Sequence, residues 1–231
     1  LLILDLMATN NWQRAIHWAV TVGPDKYFNL DPYFQLEGLS YHLTPMKSSS
    51  SRGQPGGVNT DRAYDLMMNK FRWGNIEDPD VHLDDDNRRM LTSFRSYFAR
   101  LSSQLIKEGK RDSARKVMDL CLEKISDENV AYGFFMMPFI ENYYRIGEHE
   151  TARKHMNLLL DNLYGEMNYF VELGSYSQQF PNDIQRNMYA LKNLSDVADE
   201  YGDQELKTEI LGHFDRYMRA LQDNLRTLNR R

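Results

Sequence analysis

Twice in this chain a glycine that closes one helix-periodic run is followed five residues later by an alanine inside the next. Gly109 and Ala114 stand so in FARLSSQLIKEGKRDSARKVMDLCLEKI, and Gly147 and Ala152 in ENYYRIGEHETARKHMNLLLDNL. Before Gly109, Phe94, Phe98, Leu101 and Leu105 recur at three and four; after it Ala114, Val117, Met118, Cys121 and Ile125 do the same. That spacing makes one apolar face of a helix, and glycine is the residue that most readily takes the left-handed conformation at a helix end. Two such helices joined by so short a turn bury their stripes against each other. The pattern therefore predicts antiparallel helical pairs over 88–231, with Ser102, Ala114 and Cys121 small enough to let the helices approach closely.

The same phase resembles the tetratricopeptide pattern: an aromatic early in the first helix, Leu101 beside small Ser102, a turn glycine, then Ala114 and Cys121. The second unit returns after slightly more than the usual repeat of about 34 residues. A third, ALKNLSDVADEYGDQELKTEILGHFDRYMRAL, keeps Ser195, Ala198 and a Gly202-Asp203 turn but lacks the following alanine, as terminal repeats often do because one face meets water. GSYSQQFPND, 174–183, reads as a connecting loop.

The first 87 residues follow other periods. Leu1 to Thr9 reads as a short helix ended by Asn10-Asn11. Ile16, Trp18, Val20 and Val22 then alternate with Ala15, His17, Ala19 and Thr21, the period of a half-buried strand, which puts Trp18 in the core. Leu39, Tyr41 and Leu43 alternate in the same way with Ser40, His42 and Thr44, and the two strands could pair. KSSSSRGQPGG, Lys47 to Gly57, has too little apolar surface to order itself and is expected to be a mobile surface loop. Thr60 is expected to cap a helix whose Ala63, Tyr64, Met67, Met68 and Phe71 form a stripe. The fold class is thus mainly α: tetratricopeptide-like repeats over 88–231, with a small N-terminal α+β collar of two short strands over 1–87 packed on them.

Several function classes find no support. A net charge of -5 and a pI near 5.7 argue against nucleic acid, whose binders cluster Lys and Arg. No apolar run approaches the ~20 residues that span a bilayer. The opening LLILDLMATN, without an initiator methionine, is expected to be the cut edge of a longer chain. The single Cys121 excludes an intramolecular disulfide and occupies a small-residue position of a helix, where a buried thiol is inert. Phosphate-loop, dinucleotide and nucleophile-elbow patterns are absent, so no catalytic residue and no cofactor is expected. The six carboxylates of IEDPDVHLDDDN lack the glycine and closing glutamate of a calcium loop and are expected to cap and charge the next helix. His17, His42, His82, His149, His155 and His213 never recur at a metal-binding spacing on one element, and no metal site is expected.

LDLMATNNWQRAIHWAVTVG, then YFQLEGLSYHLTP, then VNTDRAYDLMMNKFRWGN and a helical hairpin resemble the C-terminal region of a bacterial family of multi-pass membrane proteins similar to glycosyltransferases of the protein O-mannosyltransferase type. Ala15 stands where that family usually has proline, and His17-Trp18 replaces Tyr-Phe. The resemblance implies that the catalytic carboxylate and sugar donor belong to a membrane-spanning part outside this sequence, while this part is non-catalytic, membrane-attached and extracytoplasmic. Its partner would be a polypeptide or glycosylation acceptor. The residues expected to meet that partner are Trp12 and Arg14, which stand outside the clean strand alternation, and Arg95, Tyr97, Gln104, Asn142 and Arg145, which lie off the core stripe of the first helix of each repeat. An alternative is a free-standing cell-surface glycan-binding protein on a tetratricopeptide-like scaffold.

Overall fold

A computed structural model describes residues 2–48 and 53–228. The fold is mainly helical with a small N-terminal four-stranded sheet. It parts into two compact units, Leu1–Gly74 with Arg100–Leu120, and Asn75–Ala99 with Cys121–Arg231. The division does not fall at 87/88, because the strands recruit a stretch of helical hairpin into their own unit.

In the first unit, α1 (Leu2–Asn10) stops where Asn11 turns left-handed at φ 44°. Four strands follow, β1 (His17–Ala19), β2 (Phe34–Glu37), β3 (Ser40–Leu43) and β4 (Gly57–Val58), in the order β1-β3-β2-β4. β3 pairs antiparallel with both β1 and β2, and β4 runs parallel to β2. The two expected strands do pair, His17 opposite His42 and Trp18 opposite Tyr41. Two more were not expected. β2 carries the required alternation in Phe34 and Leu36, but Glu37 at its end is buried as well, and β4 is two residues long, too short for any period.

One face of the sheet is aromatic. Phe34 stacks on Tyr41 with centroids 5.6 Å apart, while Trp18 at 5.0 Å and Tyr27 at 5.3 Å close around it. The indole of Trp18 donates to the Lys26 carbonyl (3.2 Å), so its polar edge is satisfied inside the core. The described ends of the Ser- and Gly-rich tract are held against the sheet. Ser49 to Arg52 lie outside the described residues, but on one side Ser48 donates to the Phe34 carbonyl at 2.9 Å. On the other, Gly56 lies so close to β2 that a β-carbon there would sit 2.0 Å from the Phe34 oxygen; with φ at 59° only glycine fits. Arg100 then holds the Pro55 and Gly56 carbonyls at 2.9 and 3.3 Å and the Tyr41 hydroxyl at 3.2 Å. The helix after β4, α2 (Thr60–Asp65), is capped by Asn59, whose side chain accepts from the Arg62 amide at 3.3 Å, rather than by Thr60. Thr60 is instead buried and donates to the Glu108 carboxylate at 2.9 Å.

The second unit is helical. It contains α5 (Met137–Ile146), α6 (His149–Glu172), α7 (Pro181–Glu200) and α8 (Gln204–Leu228), while α3 (Asp85–Lys107) and α4 (Arg111–Lys124) each contribute to both units. α5 packs on α6, α7 on α8, and α6 on both α7 and α8. Asp84 accepts from the Asn87 amide at 2.7 Å and starts α3, so this part of the acidic run caps a helix. Gly147 ends α5 at φ 91°; the Glu148 amide reaches back to the Tyr143 carbonyl and that of Gly147 to Tyr144, the paired bonds of a Schellman closure. Gly109 and Gly202 close α3 and α7 with the same two bonds. The connection after α6 is shorter than expected: Gly174–Gln179 forms a 3-10 turn and α7 already begins at Pro181, a favoured first helical residue. Ser102, Ala114 and Cys121 are fully buried, as their size implied.

Candidate functional site

The residues expected to line a groove along the helices are not presented together. Arg95 is 1% exposed. Its guanidinium donates to the carbonyls of Ile125 (3.0 Å), Ser126 (3.1 Å), Ala131 (3.1 Å) and Val130. Those carbonyls belong to the non-helical stretch after α4, where that of Ser126 also accepts from the Val130 amide at 3.0 Å, and a buried five-donor group serves all four. The position was readable, since Leu91, Arg95 and Phe98 fall at four and three on one face. Asn142 is also buried, on the apolar face of α5. Tyr97 is half-buried, Gln104 donates to Glu108 at 3.2 Å, and Arg145 is exposed and paired with Glu141 at 3.0 Å. With Arg95 and Asn142 inside, the expected row loses two members.

Trp12 and Arg14 are both exposed, and the backbone presents them deliberately. Asn11 and Trp12 both have positive φ, 44° and 60°, a conformation costing a non-glycine residue roughly 1–2 kcal/mol. Asn10 holds that turn from both sides: its amide donates to the Arg14 carbonyl at 2.7 Å, and its oxygen accepts the Arg14 amide at 3.2 Å. The result is an indole half exposed at the edge of a cavity of about 340 Å³, lined by Trp12, Arg14, Ala15, His42, Thr44 and Pro45 among others.

His42 also belongs to a second constellation. Its ring stacks on that of His17, centroids 4.7 Å apart and planes 17° from parallel. His42 Nδ1 lies 3.1 Å from Glu37 Oε1, and Asn59 donates to the same oxygen at 2.8 Å. His17 Nδ1 lies 3.1 Å from the Ser40 hydroxyl, which donates to the Glu37 carbonyl at 3.2 Å. One ligand atom each from His17, Glu37 and His42 fall within 4.8 Å of one another, the one such three-residue group among the described residues. Burial, and next the neighbouring His42, pull the His17 imidazole below its ordinary value, favouring the neutral, metal-binding form. Searching for histidines on one element misses this trio, because strand pairing assembles it. The signal was nonetheless present: His17 and His42 stand on the non-core faces of two alternating runs that could pair.

Residues 1–62 match a family model described as TMEM260-associated domain 2.

That family is tied to a membrane protein, and the matched segment contains Trp12, Arg14 and the whole His17, Glu37, His42 and Asn59 group. No curated protein and no solved structure matches the chain. Among the described residues no helix is long and apolar enough to cross a membrane.

Cys121 is fully buried and burial pushes its thiol far up, so the thiolate is not accessible. A larger concavity of about 640 Å³ on α7 and α8 is walled by Ile184, Met188, Tyr189, Phe214 and Met218, with Lys192 the only charged group lining it.

Proposed function

We propose that this chain is a non-catalytic, extracytoplasmic module of a membrane glycosyltransferase, and that it holds a polypeptide acceptor through the face bearing Trp12 and Arg14. The observation that carries the reading is the strained, half-exposed Trp12 at the rim of a cavity. Local strain in a bulky residue persists only where surrounding bonds hold it, and it concentrates at binding sites. Membrane attachment is supported by the match of residues 1–62 to a family tied to a membrane protein. The tetratricopeptide-like phase of the helical pairs supports a scaffold role, since stacked hairpins present extended surfaces to peptides.

An extended acceptor would lay an apolar side chain against the Trp12 ring and offer carbonyls to the Arg14 guanidinium. The exposed indole equally supports the glycan-binding alternative, because a sugar ring stacks on the same face. Titration of the chain with an unglycosylated serine- and threonine-rich peptide, and separately with a mannose oligosaccharide, separates the two by chemical-shift mapping. Trp12→Ala with Arg14→Ala should keep the fold and weaken peptide binding by about tenfold or more. Unchanged affinity, or shifts confined to the α7/α8 groove, would overturn the assignment, and shifts at Trp12 with the oligosaccharide alone would replace it by the glycan reading.

A further inference from the structure

We infer that His17, Glu37 and His42 form a binding site for one divalent transition-metal ion of the zinc, cobalt or nickel type. This goes beyond the acceptor-holding reading and does not depend on it.

β1 and β3 place His17 opposite His42, and the tight β2–β3 hairpin brings Glu37 back beside His42. Side chains from three strands thus converge on one face of a sheet whose other face is the aromatic core. Two imidazole nitrogens and one carboxylate oxygen are the donors that borderline divalent ions take, whereas calcium and magnesium prefer oxygens throughout. Ligands bound at about 2.0–2.1 Å to one tetrahedral ion lie roughly 3.3 Å apart. His42 Nδ1 and Glu37 Oε1 are already 3.1 Å apart, close to that separation. His17 lies on the edge strand, its ring stacked on that of His42 and its Nδ1 against the Ser40 hydroxyl, with a donor atom within 4.8 Å of the other two.

The neighbouring groups orient the donors. Ser40 donates its hydroxyl proton to the Glu37 carbonyl, so its oxygen accepts from His17 Nδ1–H and leaves the lone pair on His17 Nε2. Asn59 donates to the Glu37 carboxylate and holds it toward His42. Partners of this kind around first ligands are what metal sites use to fix ring and carboxylate orientation. Three protein ligands leave a fourth position for water or an incoming donor, the arrangement of an open site. Since His42 also lines the Trp12 and Arg14 cavity, a ligand in that cavity would have access to the metal's surroundings.

The test uses the full chain, stripped with chelator and dialysed. Zinc is titrated in competition with a chromophoric chelator near neutral pH, and cobalt is followed by its visible spectrum and by paramagnetic shifts. One ion per chain is expected, with an intensified four-coordinate cobalt spectrum and the largest shifts at residues 17, 37 and 42. His17→Gln changes an exposed side chain and should retain the fold while weakening zinc at least tenfold. His42→Gln should do the same, and Glu37→Gln should weaken it by about ten- to a hundredfold. His213→Gln, outside this unit, should change nothing. The inference is overturned if His17→Gln with His42→Gln binds zinc as the parent does, if His213→Gln loses as much, if calcium competes equally, or if cobalt keeps its six-coordinate aqueous spectrum. Because cobalt shifts are read on the parent chain, an unfolded variant would leave the inference testable.

Discussion

Each of the two units buries one arginine of α3, and each arginine donates to backbone carbonyls. In the helical unit Arg95 meets four carbonyls of 125–131, the stretch where the chain leaves α4. In the sheet unit Arg100 meets the carbonyls of Pro55 and Gly56 and the hydroxyl of Tyr41. A helix satisfies its own backbone, so in the helical unit side-chain donors gather on non-helical stretches, as Asn129 does on the Ile76 carbonyl and Asn162 on that of Tyr132. The sheet unit is built from strands of two to four residues and needs donors along its loops as well: Ser48, Thr44 and Arg100 all supply them. The difference teaches where chemistry can arise. Helical pairs bury polar groups singly, as with Arg95, Asn142 and Asn187, while the sheet leaves a polar face on which side chains from separate strands meet.

The largest effect expected follows from the first half of that comparison. Arg95→Ala leaves four carbonyls without a charged donor in a fully buried place and should cost at least about 3 kcal/mol in urea unfolding. Arg100→Ala removes three bonds from a residue nearer the surface and should cost about 2 kcal/mol. Hydrogen exchange should quicken in 125–131 for the first and in 55–58 for the second. A larger loss in Arg100→Ala than in Arg95→Ala would break the comparison.

A smaller effect sharpens it. The Gly–Ala phase falls once in each unit, as Gly109 with Ala114 and as Gly147 with Ala152, and both alanines are fully buried. Ala114→Phe and Ala152→Phe should each overpack their surroundings by about 1–3 kcal/mol. Matched losses would mean that the repeated phase reports repeated packing. A variant melting with the parent would show that the phase in its unit has another cause.

What was legible follows the same line. Helical periodicity is local, so Gly109, Gly147 and Gly202 could be recognised as closures and Ser102, Ala114 and Cys121 as buried before any fold was known. Trp18 was legible as core because its strand alternates cleanly. β4 was not, because two residues carry no period, and neither was the fixing of Gly56, which depends on the approach of Phe34 from 22 residues earlier. Arg95 lies inside because position outweighs charge there: it stands in line with Leu91 and Phe98, and its guanidinium meets the irregular carbonyls after α4. Asn142 is likewise a polar residue on the buried face of α5. The His17, Glu37 and His42 group needed strand register, which two alternating runs suggest but do not fix.

The smallest effect concerns acid, and it compares a histidine in each unit. His213 on α8 stacks on Tyr164 with centroids 4.0 Å apart, and Arg216 approaches its Nδ1 at 3.0 Å. Burial first, and then the Arg216 charge, hold this imidazole below its ordinary value of 6.5; Glu209 opposes them more weakly. The folded state therefore binds fewer protons than the unfolded chain once pH falls through 6.5. Its stabilising contribution is complete above that value and is lost progressively below it, down to the lowered folded value. In thermal melts between about pH 7 and 5 the parent should show a shallow fall that His213→Gln flattens, since glutamine can still accept from Arg216 without taking a proton. His17 is lowered for its own reasons, burial and His42, so exchange rates should separate the two: in His213→Gln the acid response of α6 and α8 amides disappears while that of β1 persists. A parent whose stability does not change over this range, or a variant with the parent's slope, would show that the stacked His213 pair does not couple protonation to folding.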